Sequence, residues 1–409
     1  MHGSEKIILD KIEEMREDII EFHRRIVQMP SENPPGRYKE ISHFIKNKMD
    51  EIGLNTKSKM NNVIGEVGGN DGPTLIFNAH YDTIEKFTGW MKKPFEANIE
   101  NNRIYGRGAS DDKSCIAAEI FAAKALIDSG LDFKGKLIIT AVNDEELGGL
   151  GGSSYLLKRN IIKGDACIVG DAPADFPVGY LHGAIFISVV IRGKQSHGFL
   201  LPDLPSPNRN QYSGISAIHK MVPIMIFLLD LQDEFAKIET KYPVSTEFPS
   251  RISSVNLAMI EGGTKISTVA DHCYLHCSIQ TIPELDIEEI KKRILKYIEK
   301  LKHEDPDLDI TVQIPIFYGS HIINTESRFA KAVKGATKSV YGEEREFKFS
   351  NCTTDAHWFA EMGIETVMIG TFRKDNFIHC ADENVNIDDL INVTKMFALT
   401  ALNYLRETT

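Results

Sequence analysis

Residues 74–82 read TLIFNAHYD, an apolar strand that ends in an imidazole, His80, with a carboxylate two positions further on, Asp82. Working outward, GRGASDDK over 106–113 opens a helix predicted over 112–129, with Gly130 as its stop. A second apolar strand, 136–143, runs into Asp144-Glu145-Glu146; a third, 166–170, runs into Asp171. Residues 63–67 supply a further strand, and 366–370 one more, shortly before His379 with Glu383 four residues on. Strand, helix, strand, with chemistry-bearing residues just after the strands, predicts an α/β domain. Its mixed, mostly parallel sheet is flanked by helices, and its site lies beyond the carboxyl ends of the strands.

Near Tyr180 the texture changes. Strands are expected at 186–192, 255–260, 274–279 and 309–315, with a helix from Pro283 through Lys302, so a small antiparallel sheet with helices on one face follows. From Phe329 the helix–strand–helix pattern returns and leads to His379. The small sheet therefore reads as an inserted α+β domain: residues 1–180 and 319–409 form the catalytic domain, and 181–318 the insertion. The proline-rich stretch Pro202 to Pro249, with its apolar run ending at Leu229, reads as loop plus one buried helix or as a subunit-contact element.

The 409 residues carry 58 acidic and 47 basic side chains, a net charge of −11 that disfavours nucleic acid as a partner. The N-terminal residues 5–28 mix charge with apolar residues at helical spacing and lack the apolar core of a signal peptide. The apolar run Met221 to Leu229 falls far below the ~20 residues a bilayer needs, so a cytoplasmic, non-membrane protein is expected. Six cysteines then read as reduced thiols. His272-Cys273 and His276-Cys277 invite a small zinc site, but on a strand the histidines face one way and the cysteines the other.

Two imidazoles and three or four carboxylates converging from strand ends suit two divalent ions around one water. His80 would ligate while Asp82, on the same side of an extended strand end, orients its ring. Asp111, at the start of a helix, can offer one oxygen to each of two cations; the plainer reading makes Asp111 or Asp112 an N-cap. Glu145 and Glu146, adjacent in an extended segment, would diverge, one toward metal and one toward the attacking water. Asp171 and His379 would be terminal ligands, one for each metal. His197, in the insertion, would stabilise an oxyanion.

These phrases, in this order, resemble the M20 family of zinc metallopeptidases and deacylases, a likeness that extends to Trp90, Pro94-Phe95, Gly262-Gly263 and Thr354-Asp355. The resemblance implies a zinc-peptidase-like fold with a lid inserted in it. It implies two zinc ions, replaceable by cobalt: His80 and Asp171 on one, Glu146 and His379 on the other, Asp111 bridging. Asp82 would orient His80, Glu145 would be the general base, and His197 would come from the lid, often that of the partner in a homodimer. It further implies a cis peptide at Asp111-Asp112 and hydrolysis of an amide in a small N-acyl amino acid or short peptide. Carboxypeptidase and dipeptidase activities of the same family, and a catalytically silent metal-binding scaffold, are the alternatives. The family's Asp-x-Arg phrase, which helps hold a substrate carboxylate, appears here as Ser278-Ile279-Gln280; its Asn and Pro after the double glycine are Ser267 and Ala270, and its Gly-Pro-Gly is Gly370-Thr371-Phe372. With Gln280 in the anchor position, two cations stand nearby, Arg373 and Lys374: either Arg373 replaces the missing guanidinium, or the two are a solvated charge pair.

Overall fold

The computed structural model describes residues 3–132, 134–198, 213–245, 249–350 and 352–406. Its large sheet has nine strands. At the centre, Thr74–His80 runs parallel to Lys136–Val142 on one side and to Ala166–Val169 on the other, and Glu365–Met368 continues the parallel set beside Ala166–Val169. Antiparallel strands close the flanks, Asn55–Lys59 and Asn62–Gly68 at one side, Val178–Leu181 and His321–Ile322 at the other. Lys136–Val142 and Thr74–His80 bury all but their first residue, as strands covered on both faces must.

Alternation along these strands assigns each face its core. Leu75, Phe77, Leu137 and Ile139 pack into one cluster with the helices Lys113–Asp128 and Ile387–Leu405; Ile76, Ile138, Cys167 and Val169 pack into another with Ser153–Lys158 and Ala356–Glu361. Lys113–Asp128 is apolar almost all round because it lies under other helices, and it ends before Gly130, which takes the left-handed φ of 63°.

After Leu181 the chain leaves the large sheet and returns to it at His321. Between lies a separate antiparallel-sheet domain whose strand order is Ser254–Gly262, His272–Thr281, Gly183–Arg192, Asp309–Tyr318. Helices Ala217–Phe235 and Ile287–Glu304 cover one face, burying Met221, Leu228, Ile290 and Ile294 against Ile187, Val189, Cys273 and Cys277. His272 and His276 project from the other face, so the cysteines and histidines there do not share a site. The apolar run Met221 to Leu229 is helical throughout, with Pro223 in the first turns. Residues 199–212 and 246–248 of the proline-rich stretch lie outside the described residues.

A third, three-stranded sheet matters for the site. Arg103–Tyr105 pairs with Asn384–Asn386, which draws the turn at 106–111 against the loop carrying His379. Among the described residues no helix is long and apolar enough to cross a membrane.

Candidate metal centre

His80 ends its strand buried, only 2% exposed, with Nε2 3.1 Å from Asp111 Oδ1. Its other nitrogen, Nδ1, lies 3.0 Å from the Asp82 carbonyl oxygen and 3.4 Å from Asp82 Oδ1, which fixes which nitrogen faces the cluster. The second oxygen of Asp111, Oδ2, is 3.0 Å from His379 Nε2, and the same nitrogen is 3.2 Å from Glu146 Oε2. One carboxylate thus faces two imidazoles, one through each oxygen. Ligand atoms of His80, Asp111 and Glu146, and those of His80, Glu145 and Asp171, each lie within 4.8 Å of one another. The five expected ligands and Glu145 therefore share one pocket.

The backbone that presents them is set by unusual torsions and specific bonds. Asp171 follows its strand in the left-handed region, φ 66°, and its amide donates to Asp112 Oδ1 at 3.2 Å. Asp112 is the N-cap residue of the helix by position, but its side chain makes no capping bond. The peptide joining Asp111 to Asp112 is cis. Asp111 is held from behind by Glu383, whose Oε1 accepts from the amides of Ser110 at 3.1 Å and Asp111 at 3.2 Å. Glu383 Oε2 is paired with Arg107 Nη1 at 2.5 Å, both side chains 1% exposed, while Arg107 Nη2 donates to the Cys380 carbonyl at 3.1 Å. This buried pair links the glycine-rich turn to the His379 loop.

Glu145 and Glu146 differ from the extended pair expected. After Asp144, at φ 69°, they form a single 3-10 turn, Glu145–Leu147, closed by Gly148 at φ 96°. The cause is Asp82: its Oδ1 accepts from the Glu145 amide at 3.2 Å and its Oδ2 from the Glu146 amide at 3.3 Å, curling the chain around one carboxylate. Asn33 donates to the same Asp82 Oδ2 at 3.0 Å and to Asp144 Oδ1 at 3.3 Å. From below, Asp355 accepts from Ser153 Oγ at 2.7 Å, beside the end of this loop. Glu146 is engaged at both oxygens, with the Ile84 amide at 3.1 Å on Oε1. Glu145 accepts no side-chain hydrogen bond among the described residues and comes only within 3.9 Å of His80.

The electrostatics call for a cation. Burial, followed by the neighbouring acids, pushes the carboxyls of Asp171 and Glu145 well above their ordinary range. Burial also raises Asp112 to about 7 and Asp355 to about 6. Burial would lift Asp111 too, but hydrogen bonds from His379 and His80 outweigh it and hold Asp111 low. His379 is raised to about 11 by the hydrogen bonds to Asp111 and Glu146; His80 is raised as well, its carboxylate partners overcoming burial. So many buried acids around two imidazoles fit divalent cations with nitrogen and oxygen ligands.

Two expected residues stand elsewhere. Arg373 forms a two-pronged pair with Asp389, Nε to Oδ2 at 2.5 Å and Nη2 to Oδ1 at 2.7 Å. Its guanidinium is thus engaged by the final helix, and Arg373 is not among the residues that line the cleft. His197 is exposed on the inserted domain, bridged to Thr268, and does not line the cleft of its own subunit. Gln280 reaches the cleft wall indirectly, donating to Thr353 Oγ1 at 3.1 Å. The supporting roles of Asn33, Arg107 and Glu383 were not visible from spacing, although Glu383 lies four residues after His379.

A cluster of imidazoles and carboxylates at the carboxyl ends of a mostly parallel sheet, faced by a separate antiparallel-sheet domain, defines a hydrolase of the metallopeptidase class. Residues 76–403 match the model of peptidase family M20/M25/M40, and the chain belongs to that family. It is 28% identical to N-formyl-4-amino-5-aminomethyl-2-methylpyrimidine deformylase of Bacillus subtilis (strain 168), across 94% of each chain. It is 25% identical to succinyl-diaminopimelate desuccinylase of Marinobacter nauticus, over 80% of this chain and 83% of that one. The fold is that of the dipeptidase Dug1p of Saccharomyces cerevisiae, with a TM-score of 0.77, 17% identity and both chains covered in full.

Proposed function

We propose that this protein is a two-zinc amidohydrolase that removes the acyl group from a small N-acylated substrate. The observation that carries the reading is the split of Asp111, Oδ1 toward His80 and Oδ2 toward His379, which suits a carboxylate bridging two cations. His80 and Asp171 would complete one ion, Glu146 and His379 the other; zinc suits this nitrogen and oxygen set, and cobalt would replace it. When bound, such ions lower the pKa of water and polarise a carbonyl oxygen. Glu145, whose carboxylate accepts no hydrogen bond among the described residues, takes a proton from the water as its oxygen bonds to the amide carbon. The same carboxyl passes that proton to the nitrogen as the carbon–nitrogen bond breaks, releasing acid and amine. Deacylation is favoured over peptidase chemistry because the sequence relatives above are a deformylase and a desuccinylase.

Residues 1–180 and 319–409 then act as the catalytic domain and 181–318 as a lid. A homodimer through the lid would let His197 serve the site of the other subunit. Supporting this, the lid's edge strand Ser254–Gly262 exposes Met259 and Ile260, and the neighbouring helix exposes Ile218, Val222 and Ile226 at four-residue intervals. A cytoplasmic location is supported by six free cysteines.

The test is a Glu145→Gln protein assayed with N-formyl, N-acetyl and N-succinyl substrates. Bound metal should stay close to that of the unaltered protein while turnover is nearly abolished; undiminished turnover refutes the assignment.

A further inference from the structure

Resting on that reading, we infer that the cleft holds a second, apolar subsite, which seats an uncharged ring or branched alkyl group attached to the scissile amide. The metal cleft itself measures about 510 Å³. Beyond the acids its walls are apolar: Leu147, Phe372 and Ile378 from the catalytic side, Phe186 and Ile316 from the lid. Among the described residues no lysine or arginine lines it.

Behind this cleft lies a smaller chamber of about 170 Å³, lined in part by Pro173, Phe176 and Phe349. Cys352, Phe372 and Ile378 line both spaces, so the two adjoin at these residues. An apolar cavity of ~150 Å³ in another protein stays dry and admits benzene, so the chamber has the volume of one six-membered ring. Its framework is firm: Phe372 donates its amide to Ala172 O at 2.9 Å and accepts from the Ala174 amide at 3.1 Å. Two hydroxyls also stand on the wall, Ser245 and Ser350, and Ser350 Oγ accepts from the Cys352 amide at 3.1 Å. A charged group entering here would lose its hydration and meet no opposite charge, only the two serine hydroxyls, whereas a ring or branched alkyl group would gain apolar contact. The favoured substrates are therefore N-acyl compounds that carry an aromatic or branched group on one side of the amide.

The experiment compares N-acetyl-L-phenylalanine and N-benzoylglycine with N-acetylglycine and N-acetyl-L-aspartate on the zinc-loaded enzyme. At least one ring compound should exceed N-acetylglycine roughly ten-fold or more in kcat/KM. Cys352→Phe, which fills the junction of the two spaces, should bring that ratio close to one. Phe349→Leu, which widens the chamber, should shift preference toward a naphthyl analogue. Independently of turnover, benzyl alcohol should bind the metal-free protein by ligand-observed NMR, and Cys352→Phe should abolish this while Glu145→Gln leaves it in place. Ring compounds no better than N-acetylglycine, or benzyl alcohol binding equally well to Cys352→Phe, would overturn the subsite. Absence of hydrolysis on every substrate with benzyl alcohol binding intact would instead count against the deacylase reading alone.

Discussion

The two halves of the metal centre are built differently. On one side His80 is a strand-end residue, 2% exposed, and its surroundings are tied by Asp82 and Asn33 through hydrogen bonds within a few residues of parallel strands. On the other, His379 sits in a loop at φ 58°, half exposed, and its position depends on the buried Arg107–Glu383 pair and on a three-stranded sheet. The first half is therefore preorganised by the large sheet, while the second rests on one ion pair and a small sheet. It follows that the ion beside His379 should be the more readily lost.

Asp111 is common to both halves, and its removal should have the largest effect. Asp111→Ala should lose both metals and all measurable turnover; retention of a full metal complement would break the comparison at its root. Next is Glu145→Gln, expected to lower kcat by about 10²–10⁴. The difference between the halves is exposed by His80→Ala against His379→Ala: metal titration should show one ion retained in the His379 variant at a zinc level where the His80 variant holds none. Equal losses would remove the distinction.

Smaller effects separate the supports. Glu383→Gln keeps a group that can accept from the Ser110 and Asp111 amides but leaves Arg107 without its counter-charge. It should weaken the His379-side ion by about 10–100-fold. Asn33→Ala should lower kcat with little change in metal content, since Asn33 steadies the Asp82–Asp144 frame of the base turn and touches no ligand.

The smallest effect concerns a buried acid that gathers no cation. Glu119, on the helix that follows Asp111, is fully buried with neither oxygen partnered, and burial raises its carboxyl well above the ordinary range. With the folded pKa above the unfolded one, the folded state holds the proton more tightly. Stability is then greatest below the unfolded pKa and falls as pH rises toward the folded value. Glu119→Gln should accordingly gain about 1–2 kcal/mol at pH 7–8 relative to its effect at pH 4, read from urea unfolding. A gain independent of pH would show that Glu119 titrates alike in the folded and unfolded states.

The parts legible in the sequence are those governed by short-range periodicity. The parallel strands ending at His80, before Glu145 and before Asp171 announce themselves as apolar runs with a chemical terminus, and their order carries the family. The 3-10 turn at Glu145 was hidden because it is imposed by Asp82, more than sixty residues earlier, accepting two amides at once. The partner of Arg373 was hidden for a related reason: closeness to His379 in sequence suggested the cleft, whereas the guanidinium pairs with Asp389 on the final helix. The Arg107–Glu383 pair spans the chain through a strand pairing of three residues a side, too short to leave a pattern. Within Pro202 to Pro249 the one helix expected is Ala217–Phe235, whose Ile218, Val222 and Ile226 face outward.

The central claim is that Asp111 bridges two cations held by residues from both halves. The most direct measurement is an anomalous-difference map from zinc-soaked crystals at the zinc edge. The account predicts two peaks, one beside Oδ1 near His80 and Asp171, the other beside Oδ2 near Glu146 and His379. A single peak, or peaks that leave Asp111 uncoordinated, would contradict it.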